Sequence, residues 1–470
     1  MDGQFLPVTP ERIAGQDRRQ WDAGNLDPAR SYRTPAQRDR DRVLYCSAFQ
    51  RLAYVTQVTA PESGHAFHNR LSHSLKVAQV GRRNAERLSG LVDKGVITGA
   101  AADLVGTVDP DAVEASCLAH DLGHPPFGHI AERALNAQAQ KMLDRNFDAF
   151  EGNAQSFRIV TRLAVRVGDP PGLDLTRRTL GGLLKYPWAY SPSPGTKANH
   201  KWGYYKDDQD AFEFVCPGDA ETLSPLGKRT LEAEIMDWAD DLTYAVHDLD
   251  DFFRAGLIPL HRLGDEKSPE LEALQSKLED VQAAEPTTFP NGHEPKDLVA
   301  ATYDALSLYG PDVVYDHTTA NRASMREFGS KLITRYLEGF KLSDDEQSGQ
   351  VRLEIEPDRR CEVEALKMLV RIFVIRRSGL AVVQHGQERM IQSLFKRYFE
   401  ASAEGESGDR RLFPPWSRER LAKANSETDR ARVVVDLIAG LTEVGAVKLH
   451  QSLSGGWPSV RALDATADHG

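Results

Sequence analysis

Three histidines and two carboxylates fall between residues 120 and 132, as His120, Asp121, His124, His129 and Glu132. Imidazole and carboxylate together suit borderline divalent ions such as Zn, Fe or Mn. A helix running in from Val113 must stop near Asp121, because Gly123 and the Pro125-Pro126 pair cannot continue it. His120 and Asp121 then sit at a helix end, where adjacent side chains can converge on one ion. A single histidine there is accounted for by the helix dipole alone; this density of ligand types is not.

One ion needs more ligands than a dipeptide supplies. Upstream, His68-Asn69-Arg70-Leu71-Ser72-His73 opens a long helix; taken alone, His73 reads as an ordinary structural histidine. Downstream, the segment from Glu232 to Asp251 is two-faced. Ile235, Ala239, Leu242, Val246 and Leu249 form an apolar stripe, while Asp240, Tyr244, Asp248 and Asp251 recur at four, four and three residues on another face. A merely solvated face would mix in Lys or Arg, and none stands between Glu232 and Asp251. Carboxylates clustered in this way want a cation or a hydroxyl-rich ligand.

The elements that must position these groups are helices. Val43, Leu44, Phe49 and Leu52, then Leu71, Leu75 and Ala78, fall near three- and four-residue spacing. Similar stretches follow at 112–121, 130–146, 153–167, 174–186, 229–254, 297–308, 323–340, 360–377, 384–402 and 429–443. Little of the chain alternates with period two, so a mainly α fold is expected. Residues 1–40, punctuated by Pro7, Pro10, Pro28 and Pro35, read as an irregular segment, and the run Arg38 to Arg42 as a solvated face. Pro187 to Tyr204 reads as a long loop, and 261–296, 343–349 and 404–415 as surface connections.

Composition narrows the classes. The 470 residues carry 58 Lys+Arg against 69 Asp+Glu, a formal charge of −11, with 40% hydrophobic and 27% charged side chains. This is ordinary globular usage, and the acidic balance argues against broad nucleic-acid coating, though not against a local basic pocket. No apolar run reaches the roughly 18 residues of a membrane span, and no basic-then-apolar secretory pattern opens the chain. Cys46, Cys117, Cys216 and Cys361 are scattered without CxxC spacing and read as reduced thiols. A soluble cytoplasmic protein is the expectation.

The order His…His-Asp…Asp across these segments resembles the HD-domain superfamily of metal-dependent phosphohydrolases. The likeness tightens in Asp39–Tyr45, Ala48–Leu52, Thr56–Val58, Asn69–Gln79, His120–His129, Glu151–Gln155, Leu184–Trp188 and Ala239–Asp251. Together these resemble the deoxyguanosinetriphosphate triphosphohydrolase (dGTPase) family of dNTP hydrolases over residues 30–260, in family order. The resemblance implies an HD-domain helical core at 41–260, and a helical region at 261–470 that completes the pocket and oligomer contacts.

It also implies roles. His73, His120, Asp121 and Asp240 would hold a divalent metal ion, whether Mg, Mn, Co, Fe or Zn. Asp248 would accept the 3′-OH of a deoxyribose, Tyr244 would pack where a 2′-OH would clash, and Gln57 would reach the sugar. Arg70, His124, Lys185 and Tyr186 would contact the triphosphate, and His129, steadied by Glu132, would be the general acid–base. A dNTP substrate, a nucleotide effector, single-stranded nucleic acid and a homo-oligomer (tetramer or hexamer) are the implied partners.

The stretch from Phe49 to Gln57, followed by His68-Asn69-Arg70, is closer to the SAM-and-HD-domain dNTPase of animals than to the bacterial pattern, yet only about 40 residues precede it and no SAM domain is expected. Base preference and the need for an activator are left open. His65 and His68 read as surface-loop residues. Arg359, Arg360, Arg371, Arg376 and Arg377 read as a solvated face, and Gly181-Gly182 lacks the Lys-Ser/Thr of a phosphate loop. Trp188, Tyr190, Trp202, Tyr204 and Tyr205, interleaved with Lys197, Lys201 and Lys206, fit a packed lid or a clamp for a base. Action on another nucleotide or a nucleic-acid end, and a catalytically quiet nucleotide sensor or single-strand binder, stand as alternatives.

Overall fold

The computed structural model of the chain describes residues 3–5, 15–21, 32–57, 68–143, 147–166, 171–191, 200–216, 229–286, 289–290, 292–311, 313–345, 350–405 and 408–456. His65 and Lys197 lie outside the described residues. The expected mainly α architecture is what forms. In chain order the helices that build and surround the site begin with α1 (Pro35–Tyr45), α2 (Arg70–Asp93), α3 (Pro110–Ala119), α4 (His129–Met142), α5 (Gly152–Arg158), α6 (Arg177–Leu183), α7 (Leu231–Thr243) and α8 (Leu249–Arg254). They continue with α9 (Pro295–Tyr309), α10 (Thr319–Glu338), α11 (Pro357–Val370), α12 (Ser378–Ala401), α13 (Glu427–Ala439) and α14 (Glu443–Leu453). α7 and α8 form one rod, joined by a π-helical turn at Tyr244–Asp248. Among the described residues no helix is long and apolar enough to cross a membrane.

Two of the expected surface connections are structured. Within 261–296, Pro269–Ala284 is a helix capped by Ser268, and it buries Leu271, Leu274, Leu278 and Val281 at helical spacing. The acidic stretch near 343 enters a small antiparallel sheet of β1 (Gly3–Phe5), β2 (Phe340–Asp345) and β3 (Gln350–Ile355), in the order β1-β3-β2. Aspartate and serine are poor strand formers, but the alternation of buried Phe340 and Leu342, then Val351 and Leu353, is the period-two signal of a half-buried hairpin.

The charged run at 38–42 is not a solvated face. Asp39 is fully buried and accepts from Arg19 Nη1 at 2.7 Å, Thr176 N–H at 2.8 Å and Thr176 Oγ1 at 2.6 Å. Arg42 Nη1 donates to the Leu173 carbonyl at 2.9 Å. The run thus ties α1 to the start of α6. Of the late basic residues, Arg359 pairs with Glu362 and Arg371 with Glu285, whereas Arg376 and Arg377 are exposed as expected. Cys46, Cys117 and Cys216 are free and buried.

Two hydrophobic clusters build the interior. The larger runs from Val43 to Val374 and contains the packing of α2, α3 and α7 against one another. The smaller gathers α4 with α12, α13 and α14, through Leu135, Phe395, Val434 and Leu449. Buried charge crosses between them. Arg158, at the end of α5, places Nε 3.0 Å from Asp436 Oδ1 on α13 and Nη1 3.1 Å from Asp208 Oδ1, while Gln155 Nε2 donates to Asp436 Oδ1 at 3.0 Å.

Removing one partner of a buried pair strands the other charge. Arg158→Met or Asp436→Asn is therefore expected to lower stability by about 3–5 kcal/mol in equilibrium denaturation. Burial would raise the Asp436 carboxyl, but Arg158 and Arg420 outweigh it and hold the group below the usual carboxylate range. Its contribution is full above the unfolded pKa of about 3.9 and is lost as pH falls through the lower folded value. The wild-type advantage over Asp436→Asn should accordingly be full at neutral pH and shrink below about pH 4.

Candidate active site

The N-terminus of α2 brings the first ligand-type side chains. Asn69 caps it, its side chain accepting from Ser72 N–H while Ser72 Oγ accepts from Asn69 N–H. Arg70 and His73 are consequently held, buried, in the first turn. α3 ends at Ala119, and the turn after it is closed by Leu122 N–H on Ala119 O and His124 N–H on Asp121 O. Gly123 in that turn approaches α5 so closely that a Cβ would stand 2.2 Å from the Gly152 carbonyl oxygen. The rod α7–α8 brings Asp240, Tyr244 and Asp248, the last two on its π-helical turn, an element frequent at functional sites.

These three elements converge. His73 Nε2 lies 3.1 Å from Asp240 Oδ1, and His120 Nε2 lies 3.5 Å from both Asp121 Oδ1 and Asp240 Oδ1. The ligand-type atoms of His73, His120 and Asp121 all fall within 4.8 Å of one another. His120 Nδ1 is 2.6 Å from the Cys117 carbonyl oxygen, so Nδ1 carries the proton and donates it there. His120 Nε2 is left buried without a hydrogen-bond partner. Two imidazoles, two carboxylates and an orphaned ring nitrogen fit a divalent ion, and these four side chains could hold one.

Around this group lies a shell that orients it. Arg70 Nη1 donates to Asp121 Oδ2 at 2.8 Å, and His124 Nδ1 is 2.9 Å from Asp121 Oδ1. Lys185 Nζ sits 2.5 Å from Asp237 Oδ1 and 3.3 Å from Asp240 Oδ2. Burial pushes the His120 imidazole down, but Asp121 and Asp240 outweigh it and raise the group to about 9. Burial likewise works to raise the Asp240 carboxyl, and Lys185 and His120 overcome it, holding the group well below the carboxylate range. Burial lowers His124, and Arg70 adds to the effect.

His129 stands at the rim, its side chain 62% exposed, with Nδ1 2.7 Å from Oε2 of the buried Glu132. Its ring is 5.7 Å from that of His124. On the other side, Asp248 is 3% exposed and its Oδ2 has no hydrogen-bond partner. Burial, reinforced by Asp251, pushes the Asp248 carboxyl well above the usual range. Burial raises Tyr244, with the Asp248 charge adding to it. Gln57 Oε1 is also buried without a partner. Tyr186 lies near Trp188, with ring centroids 5.6 Å apart, and burial raises its hydroxyl.

Four residues with no sequence-based role also shape the site. Arg51 is buried and donates to the carbonyls of Leu122 (2.7 Å), His124 (2.9 Å) and Leu441 (3.1 Å). Asp237 pairs with both Lys185 and Arg229 at 2.5 Å. Glu443 reaches both Thr56 and Phe127. His68, expected on a surface loop, is partly buried, with Nδ1 2.5 Å from Asp251 Oδ2 and Nε2 against Lys76 Nζ. Asp237 carried a local signal, one helical turn before Asp240, and Lys76 lies only eight residues from His68; the other partners are distant in sequence. In the aromatic region Trp202, Tyr204 and Tyr205 are packed inside, and Lys201 pairs with Glu151 at 2.8 Å.

Comparison with known proteins places this geometry in a class. Residues 70–184 match the HD domain and residues 353–452 the phosphohydrolase-associated domain, which makes the protein an HD-domain phosphohydrolase. It is 35% identical over 439 residues to a deoxyguanosinetriphosphate triphosphohydrolase-like protein of Streptomyces coelicolor, covering 90% of this chain and 93% of that one. Proteins of the same name from Corynebacterium efficiens (34%, covering 90% and 92%) and, as protein 1, Mesorhizobium japonicum (32%, covering 90% and 89%) are similar over most of their lengths. The chain belongs to the deoxyguanosinetriphosphate triphosphohydrolase-like family.

Loss of a direct ligand should exceed the roughly 10–100-fold cost of losing an orienting partner. His120→Ala is expected to weaken Mn²⁺ binding by more than about 100-fold in equilibrium dialysis, and Arg70→Gln by about 10–100-fold. Unchanged affinity in His120→Ala would place the ion elsewhere.

Proposed function

We propose that the protein is a metal-dependent dNTP triphosphohydrolase, cleaving at the α-phosphate to release a deoxynucleoside and inorganic triphosphate. The observation that carries this reading is the juxtaposition of a metal-competent cluster, His73, His120, Asp121 and Asp240, with the cations Arg70 and Lys185 and with the unpartnered buried Oδ2 of Asp248. Cations answer a triphosphate, and a buried carboxyl with an unpartnered oxygen answers a sugar hydroxyl. The names of the relatives point to the same substrate class.

When bound, the ion would supply Lewis-acid polarisation of a phosphoryl oxygen and lower the pKa of a water, and Mg, Mn, Co, Fe and Zn can all do so. The protein's own groups do the rest. Arg70 holds Asp121 through one oxygen and presents its remaining N–H groups to phosphate, as its planar fork allows. His124, Lys185 and Tyr186 line the same side and receive the triphosphate. Asp248 accepts the 3′-OH, Tyr244 occupies the place of a 2′-OH, and Gln57 reaches the sugar.

The leaving 5′-oxygen needs a proton. Glu132 holds His129 Nδ1, so Nε2 is the atom left to deliver it. An imidazole that is largely exposed can take a proton back from solvent after each turnover. Discrimination against ribonucleotides rests on Tyr244, which fills the place a 2′-OH would need, while Asp248 selects for a free 3′-OH, since a ligand that leaves a buried polar group unpaired binds poorly.

Incubation of the purified protein with each dNTP and rNTP, alone and in mixtures, with Mg²⁺, Mn²⁺ or Co²⁺, tests this directly. Ion-pair chromatography should show deoxynucleoside plus triphosphate from dNTPs, with rNTPs spared; orthophosphate or pyrophosphate as the product would sink the reading. Activity only in mixtures would identify an effector requirement. His129→Ala should reduce kcat by about 10²–10⁴-fold while leaving metal content intact.

A further inference from the structure

One carboxylate of the phosphohydrolase-associated region reaches two loops of the site. Glu443, in the first turn of α14, is partly buried and faces two loops at once. Its Oε1 accepts from Thr56 N–H at 2.9 Å and from Phe127 N–H at 3.2 Å, and its Oε2 accepts from Thr56 Oγ1 at 2.7 Å. Thr56 immediately precedes Gln57. Phe127 stands two residues before His129, at the entrance of α4. A single side chain from the far end of the chain therefore ties the Gln57 turn to the His129 turn.

The second turn needs such a tie. Phe127 has φ +66°, in the left-handed region that a bulky side chain rarely adopts, and Gly128 follows at φ +55°. A conformation of that kind persists only where its surroundings over-determine it. Two contacts do so here. Glu443 satisfies the Phe127 amide, and Arg51 gathers the carbonyls of Leu122 and His124 with that of Leu441, two residues before Glu443. The Arg51 guanidinium, lowered to about 10 by burial and by Arg70, is buried. Arg51 and Glu443 thus grip the segment 122–127 from its two ends, and both grips lead to the Leu441–Glu443 corner.

We propose that Glu443 is a positioning residue, setting the Gln57 turn and the His129 turn relative to each other so that the sugar contact and the proton donor address one substrate. The reaction this serves rests on the function proposed above, whereas the clamp itself rests on the contacts of Glu443. The corner between α13 and α14 is then a working part of the site, and Glu443 contributes to catalysis without itself touching substrate. Asp, with a shorter reach, cannot span both loops. Gln keeps the length but has one acceptor oxygen, so it retains some contacts and loses others.

The test compares wild type with Glu443→Gln and Glu443→Ala, using the full chain loaded with Mn²⁺. Hydrogen exchange read by mass spectrometry should show faster exchange in peptides covering 52–57 and 124–130, with peptides of α2 unchanged, and Mn²⁺ content should match wild type. With dNTP as substrate, kcat/KM should fall about 10–100-fold in Glu443→Ala, less in Glu443→Gln, with the pH profile of kcat displaced because the turn that carries His129 is no longer fixed. A role in stability alone would lower Tm and leave kcat and its pH profile per folded molecule unmoved, and that result would overturn the proposal. Unchanged exchange at both turns would also overturn it. If wild type fails to hydrolyse dNTPs yet both turns loosen in the variants, the clamp stands and the substrate reading falls.

Discussion

Asp121 is the group on which the rest of the site depends. It is 4% exposed, its Oδ2 receives Arg70, and its Oδ1 lies near His120 and His124. Burial alone would keep such a carboxyl protonated, but the cationic and imidazole groups around it overcome that and hold it well below the ordinary range. A carboxylate ionised in the interior cannot tolerate loss of its partners. The helix end at Asp121 and the first turn of α2 are therefore fixed to each other by charge, with the sharp turn at Gly123 following from that constraint. Asp240 then answers the same cluster from the opposite side, through His73, His120 and Lys185.

The ligand-type side chains belong to helices of the larger hydrophobic cluster, whereas His129 starts a helix whose apolar face lies in the smaller one. The site consequently lies along the seam between two cores. Apolar contact is non-directional and could not fix distances across such a seam to a fraction of an ångström. Directional contacts do it instead: Arg158 with Asp436, Arg51 with the Leu441 carbonyl, and Glu443 with Thr56 and Phe127. All three run from the N-terminal half to the 436–443 corner. That explains why a region so far along the chain belongs to the same functional unit.

This division also marks what could be read from sequence. The convergence of His120 and Asp121 was legible because a local stop signal, Gly123 with Pro125-Pro126, places them at a helix end. The face carrying Asp240, Tyr244 and Asp248 was legible from spacing and from the missing Lys and Arg. Asp39 was misread because its neighbours in sequence are charged, while its actual partners, Arg19 and Thr176, come from distant elements. His68 failed for the same reason, since Asp251 lies 183 residues away. The strand pair 340–345 and 350–355 was hidden because Asp344, whose partner is the distant Ala101 N–H, stands where the alternation of Phe340 and Leu342 calls for an apolar residue. Local chemistry predicted local geometry, and long-range pairing decided the remainder.

The rod α7–α8 shows how finely one element can serve both halves of the site. Asp240 belongs with the metal-competent cluster and Asp248 with the unsatisfied pocket, with Tyr244 midway. In a regular helix a step of four residues overshoots one 3.6-residue turn, so three residues at that spacing would drift steadily around the axis. The π-helical turn at Tyr244–Asp248 has more residues per turn, and its four-residue step falls short of a full revolution instead. The second deviation offsets the first. Asp240, Tyr244 and Asp248 thereby stay closer to one line than a regular helix would keep them, and a single rod can address the phosphate end and the sugar end of the same ligand on the reading proposed here. The cost is a locally disturbed hydrogen-bond ladder, tolerable because Ala245, Val246 and Leu249 bury the opposite face completely.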